Sequence, residues 1–203
     1  MKSRLIRSLM VPVFATLALA AHAAEPGWPK SYQLAAAGKH NDAIAVLDVV
    51  SATGPDAELK VLRRAWLYYL QGNFSDSIRE YRLAIERNNR SIDARLGVTL
   101  PLLAQKRWRE AEQSARAALD LSPNNYTSLL RLVLALEGQR DWEQMAKTAA
   151  TITSSYPSDV TGFVYLARAY AWQEKRAEAV AAYLAVLVRY PGHLEAKAYI
   201  EKK

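Results

Sequence analysis

Four prolines set the period of this chain. Pro55, Pro123, Pro157 and Pro191 stand 68, 34 and 34 residues apart, all multiples of one number. A unit that short cannot bury its apolar face alone, so neighbouring copies must stack to form the core. Each proline also ends the helix before it, because it has no N–H to continue the ladder. The composition agrees with helices: Ala, Leu, Arg, Glu and Gln abound, with only 8 Gly and 8 Pro. Long alternating runs of Val, Ile and Thr, the mark of strands, do not occur.

Shifts of 34 residues at a time lay "LARAYAWQEKRAEAVAAYLAVLVRYPGH" over "RLVLALEGQRDWEQMAKTAATITSSYPSD", "LGVTLPLLAQKRWREAEQSARAALDLSPNN", "LRRAWLYYLQGNFSDSIREYRLAIERNNR" and "YQLAAAGKHNDAIAVLDVVSATGPD". Small residues recur in register: Ala65 with Ala167, and Ala43 with Ser77, Ala111 and Ala179. Tyr68, Tyr170, Leu34, Leu102 and Leu136 share one larger slot, and Leu47, Tyr81 and Tyr183 another. Ala84 and Ala118 form a further pair. Small side chains at fixed points let helices approach, and larger ones fill the gaps between neighbouring pairs. Polar stretches such as "QGNFSD" and "QEKRAEA" read as the turns.

This pattern resembles the tetratricopeptide repeat family, whose unit is a 34-residue pair of antiparallel helices. The resemblance implies an all-α, right-handed superhelical solenoid of about five helix-turn-helix repeats. The units run over 24–57, 58–91, 92–125, 126–159 and 160–193, and the amphipathic tail 194–203, "LEAKAYIEKK", forms a C-terminal capping helix. The first unit is degraded, since Pro26 and Pro29 shorten its first helix; Pro29 is acceptable as a first helical residue. Asn89 replaces the terminal proline of the second unit. Pro101 is expected to kink the helix it sits in. Met145 and Ile152 stand where other units have small residues, which predicts looser packing in the fourth.

The first residues have a different character. Lys2, Arg4 and Arg7 precede the charge-free "SLMVPVFATLALAA", and "AHA" at 21–23 offers the small residues a signal peptidase reads. Residues 1–23 are therefore expected to be a cleavable signal peptide, cut before Ala24. That places the protein in the periplasm of a Gram-negative bacterium. The alternative is an inner-membrane anchor left uncleaved, but the apolar core is shorter than the roughly 20 residues a span needs and Pro12 interrupts it. No stable membrane span is expected after cleavage. With 0 Cys there is no disulfide framework, no lipidated cysteine and no thiol chemistry. Loss of Lys2, Arg4 and Arg7 lowers the formal net charge from +7 to +4, and a nucleic-acid partner is not expected.

Catalytic constellations do not appear. His40 and His193 lie at opposite ends of the array without partners at metal-ligand spacing, and read as surface residues. Ser51 and Asp56 belong to a repeat junction. Glu110, Glu112, Glu174 and Glu178 read as solvated charge rather than paired acid and base. Zinc, nucleotide and nucleophile-elbow motifs are missing. A non-enzyme without metal or cofactor is expected.

What remains is a binding surface. In the family resembled, the concave face is built from the first helix of each unit. Carried onto this chain, that face offers Leu62, Arg63, Trp66, Tyr69, Leu100, Arg131, Leu134, Arg168 and Trp172. The subclass that clamps a C-terminal carboxylate uses Lys and Asn in slots held here by Leu62 and Trp66, Leu100, Leu134 and Arg168, so such a clamp is not expected. An apolar, aromatic groove with scattered arginines suits an amphipathic helix or an extended segment of a partner protein. Trp108 and Trp142, where second helices begin, are expected to pack between hairpins. "AYAWQEKRAEA" and "RRAWLYYLQGNFSDSI" also resemble repeat domains tied to exopolysaccharide export, which points to envelope assembly. Self-association into a homo-oligomer, or binding of polysaccharide or cell wall, are the competing readings.

Overall fold

The computed structural model describes residues 27–202; the expected signal peptide, 1–23, lies outside the described residues. The described residues form α1 (Gly27–Ala36), α2 (His40–Asp48), α3 (Pro55–Leu70), α4 (Phe74–Arg87), α5 (Ile92–Ala104), α6 (Trp108–Leu121), α7 (Tyr126–Gln139), α8 (Trp142–Ser155), α9 (Val160–Trp172), α10 (Arg176–Arg189) and α11 (Leu194–Glu201). Strands are absent among them. The first ten helices pair as hairpins, and each hairpin packs on the next. The first helices also touch across hairpins, α3 against α5 and α5 against α7, and so line one face of the stack. Among the described residues no helix is long and apolar enough to cross a membrane.

Every hairpin turns through one left-handed residue: Gly38, Gly72, Lys106, Arg140 and Glu174, at φ of 73°, 78°, 57°, 60° and 60°. They are spaced by the repeat length. The N–H that follows each one reaches back to the carbonyl of Leu34, Tyr68, Leu102, Leu136 or Tyr170, over 2.8–3.0 Å. The larger slot of the repeat thus also closes the end of the helix, in a Schellman-type stop. Only the first two turns use glycine. Lys106→Gly, Arg140→Gly and Glu174→Gly are each expected to stabilise the protein by about 0.5–1 kcal/mol, because a side chain is disfavoured in this backbone region. Urea midpoints of the three variants check this.

Helix starts repeat as well. Ser91, Asn125, Asp159 and His193, again 34 residues apart, accept hydrogen bonds from the N–H groups of Ala94, Ser128, Gly162 and Ala196 at 2.9–3.2 Å. Each is an N-cap that satisfies an orphan donor. The second hairpin starts differently, with Pro55 as the first residue of α3 behind Gly54.

The core lies where helices cross. Ala43, Ala65, Ser77, Ala111, Ala167 and Ala179 are wholly buried. Ser77 donates its hydroxyl to the Ala65 carbonyl at 2.8 Å, so the one polar atom at these crossings is satisfied. The looser packing expected around Met145 and Ile152 is not found. Both are wholly buried in the largest core cluster, with Leu129, Leu132, Val133 and Leu136. Ile152 fits because the residue facing it is Gly162, where even a Cβ would lie 2.6 Å from the Ile152 methyl Cγ2. The small residue has moved to the opposite helix. α5 runs on through Pro101 to Ala104, so the proline does not end it.

The final helix has the capping role expected of the tail. Ala196 is buried against Val186 and Tyr183, with Tyr199 and Ile200 packed beside it. Tyr183 and Tyr199 bring their rings within 4.7 Å.

Candidate functional site

The face lined by α3, α5, α7 and α9 carries the residues singled out in the sequence, and its chemistry is uneven. At one end α3 projects Trp66 and Tyr69, stacked at 5.3 Å between centroids, with Phe74 a further 5.8 Å on. Trp66 remains 36% exposed. One turn back, Arg63 lies 4.0 Å over the ring of Tyr32 from α1. Its Nε is buried without a hydrogen-bond partner, and burial lowers its pKa. Leu62 turns inward instead, packing among the buried residues of α3, α4 and α5. It is a core residue more than a contact residue.

Further along, Leu100, Arg131 and Leu134 are half-buried. Arg131 is flanked by Tyr69 and Tyr165, which lie close enough to act on it electrostatically, and burial lowers its pKa. Among the described residues neither Arg63 nor Arg131 has an acidic partner within ion-pair distance.

Arg168 behaves differently from the free groove cation expected of it. Its guanidinium grips Glu195 of α11 through two hydrogen bonds, at 2.8 and 2.6 Å, and Glu137 lies 3.8 Å away. Tyr183 donates to the same Glu195 carboxylate at 2.8 Å. The Arg168 hydrogen bonds hold the Glu195 carboxyl below its usual range, and the pair raises the arginine's own pKa. Arg168 therefore fastens the last helix to the array. Nothing in the sequence marked Glu195 as its partner, because the pair joins two different units.

Trp172 ends α9 and is 65% exposed. It does not stand alone: its ring lies flat on Trp142, at 5.3 Å and 10°. One repeat earlier the arrangement is Trp108 against Gly138, where a Cβ would fall 2.4 Å from the indole. Trp108 and Trp142 thus pack between adjacent hairpins, as expected. Glu137, Gly138, Arg140, Trp142 and Trp172 enclose an open cavity of about 230 Å³ at this edge of the groove.

His193 caps α11 through Nδ1, and His40 begins α2 at the far end of the stack. Among the described residues no three His, Cys, Asp or Glu side chains gather as metal ligands.

Comparison with known proteins agrees with this geometry. Residues 162–193 match the family model described as tetratricopeptide repeat. No curated protein sequence matches the chain. Solved structures do. MamA superposes with a TM-score of 0.72 at 17% identity, over 83% of this chain and 96% of that one. MamA from residue 41 to its end, from Desulfovibrio magneticus RS-1, gives 0.73 at 12%, over 83% and 95%. YrrB, described as a TPR protein with an unusual peptide-binding site, gives 0.71 at 16%, over 86% and 90%. At such identities the structural likeness is one of fold. Together with the repeated turns and caps, it gives the described chain the fold of a stacked array of helical hairpins, with a match to the tetratricopeptide repeat over residues 162–193.

Proposed function

We propose that the protein is a non-catalytic scaffold that holds an acidic, apolar segment of a partner protein along the face lined by α3, α5, α7 and α9. One observation carries the reading: Arg63 and Arg131 are half-buried guanidinium groups with no acidic partner among the described residues, Arg63 one turn before Trp66 and Arg131 close to Tyr69. A buried cation left unpaired is costly, and a carboxylate brought by a ligand relieves that cost. Tryptophan, tyrosine and arginine are also the side chains that most often dominate binding energy at interfaces. The peptide-binding site named for YrrB supports the use of this fold for peptides. The signal-like sequence of residues 1–23 supports a periplasmic location for the scaffold, with assembly of the cell envelope or export of exopolysaccharide as its setting.

Selection of random peptides on the purified protein tests the reading. Enriched peptides should combine Leu, Phe or Trp with Asp or Glu. Trp66→Ala and Arg131→Gln should each weaken a selected peptide by about tenfold, which is 1.4 kcal/mol, and affinity should fall as salt rises. Enrichment without acidic residues, or affinity indifferent to both substitutions, would sink the proposal. Fractionation of cells and N-terminal sequencing of the mature chain test the location: a chain starting at Ala24 in the periplasmic fraction is expected.

A further inference from the structure

Four positions face outward on the second helix of each later repeat, and they can be compared across the array. In α4 they hold Ser75, Arg79, Arg82 and Glu86. In α6 they hold Arg109, Gln113, Arg116 and Asp120, and in α8 Glu143, Lys147, Ala150 and Ser154. All twelve are exposed, and nearly all are polar. In α10 the same exposed positions hold Ala177, Ala181, Leu184 and Val188. Leu184 is 48% exposed and Val188 81%. α11 does not cover them; it lies against Val186 and Tyr183, on another side of α10. Tyr190, 54% exposed, and Leu194, 81% exposed, are further exposed apolar residues just past the helix end. Contiguous apolar surface of this kind marks an interface.

We propose that this stripe joins two copies of the chain, α10 packing antiparallel on the partner's α10 about a twofold axis. The spacing of 4, 3 and 4 residues is that of a helix–helix seam, with apolar side chains alternating between the two positions of a heptad. The order of sizes selects the occupant and its direction. The stripe runs small, small, large, large, so its centre falls between Ala181 and Leu184. An antiparallel copy sets the partner's Leu184 against Ala181 and the partner's Val188 against Ala177. Every level then meets small with large, which is how facing layers interdigitate. A parallel copy would set alanine on alanine at one end, leaving a gap, and valine on valine at the other. A twofold interface has to be self-complementary in just this sense. About three turns of seam on each helix bury less than the roughly 1,200–2,000 Å² of a standard stable interface, so a reversible dimer is expected.

Sedimentation of the purified protein over a range reaching about 200 µM tests this, with a dissociation constant on the order of 10 µM expected. Leu184→Arg combined with Val188→Arg should leave a monomer throughout, with circular dichroism and melting unchanged because both side chains lie at the surface. The chain has no cysteine, so Ala177→Cys and Val188→Cys can be placed singly and linked with a short bis-maleimide. A mixture of the two variants should cross-link, and neither should do so alone. The proposal is overturned by a wild-type monomer at the highest concentration, by a dimer that survives the double arginine variant, or by cross-links within a single cysteine variant. Peptide binding in the groove is read on another face, so either result can fail without the other.

Discussion

Ile152→Ala should destabilise the protein by about 3 kcal/mol, within the range for emptying a core isoleucine site. Gly162→Ala should also destabilise it, by about 1 kcal/mol: overpacking outweighs the gain from placing alanine in a helix. The two together should lose far less than the sum. Ile152 is wholly buried, and a Cβ on Gly162 would lie 2.6 Å from its Cγ2 and 3.1 Å from its Cβ. Each single change leaves the site too empty or too full. The double variant recreates a contact the protein already uses, since one repeat earlier the same two positions are Ala118 and Ser128, and two repeats earlier Ala84 and Ala94. Val186 and Ala196 are the intermediate case at the last interface. Urea unfolding of the four proteins gives the coupling, and a favourable term of about 2 kcal/mol is expected. Additive losses would show that the two side chains do not share one site.

That exchange also explains what the sequence could and could not say. Reading Met145 and Ile152 as misfits follows from comparing each position with its own copies. Packing, however, conserves the volume of a pair, and Gly162 compensates from the other side of the interface. A glycine in a helix looks like a weakness until its neighbour is known. Gly138 shows the same blindness, since its bare backbone is what admits the ring of Trp108.

The period itself was legible, because it is written in local rules. Prolines stop helices, and small residues mark crossings. The left-handed turn positions were harder to see: glycine announces it at Gly38 and Gly72, while Lys106, Arg140 and Glu174 take the same conformation under tertiary control. The caps at Ser91, Asn125, Asp159 and His193 could have been found from their 34-residue spacing. Of the residues assigned to the groove, Trp66 and Trp172 do lie at the surface. Leu62 and Arg168 are taken up by packing and by Glu195. The difference is again one of partners: a residue's register fixes its direction, but not whether another unit has claimed it.

Gly97→Ala should destabilise the array by about 2 kcal/mol, although alanine normally gains about 1 kcal/mol over glycine inside a helix. A Cβ there would lie 2.1 Å from Cε1 of Tyr81 and 2.5 Å from Cζ. Tyr81 is 4% exposed, and its ring is rigid, so it cannot fold aside. The same glycine lies four residues before Pro101, whose ring presses on the carbonyl of that residue and denies it a donor. Gly97 therefore gives room on two sides of α5. Tyr81→Leu should be harmful alone and should relieve the Gly97→Ala variant, whereas Pro101→Ala should relieve it little, since the phenol ring is the nearer obstacle. The site also lies between the second and third hairpins, and in a stacked array each interface couples only its neighbours. Weakening this one should let α1–α4 unfold apart from α5–α11, so that urea transitions followed by circular dichroism and by tryptophan fluorescence separate in Gly97→Ala and coincide in the wild type. A single sharp transition at unchanged midpoint would show that Tyr81 moves freely and that the interface is not set by this contact.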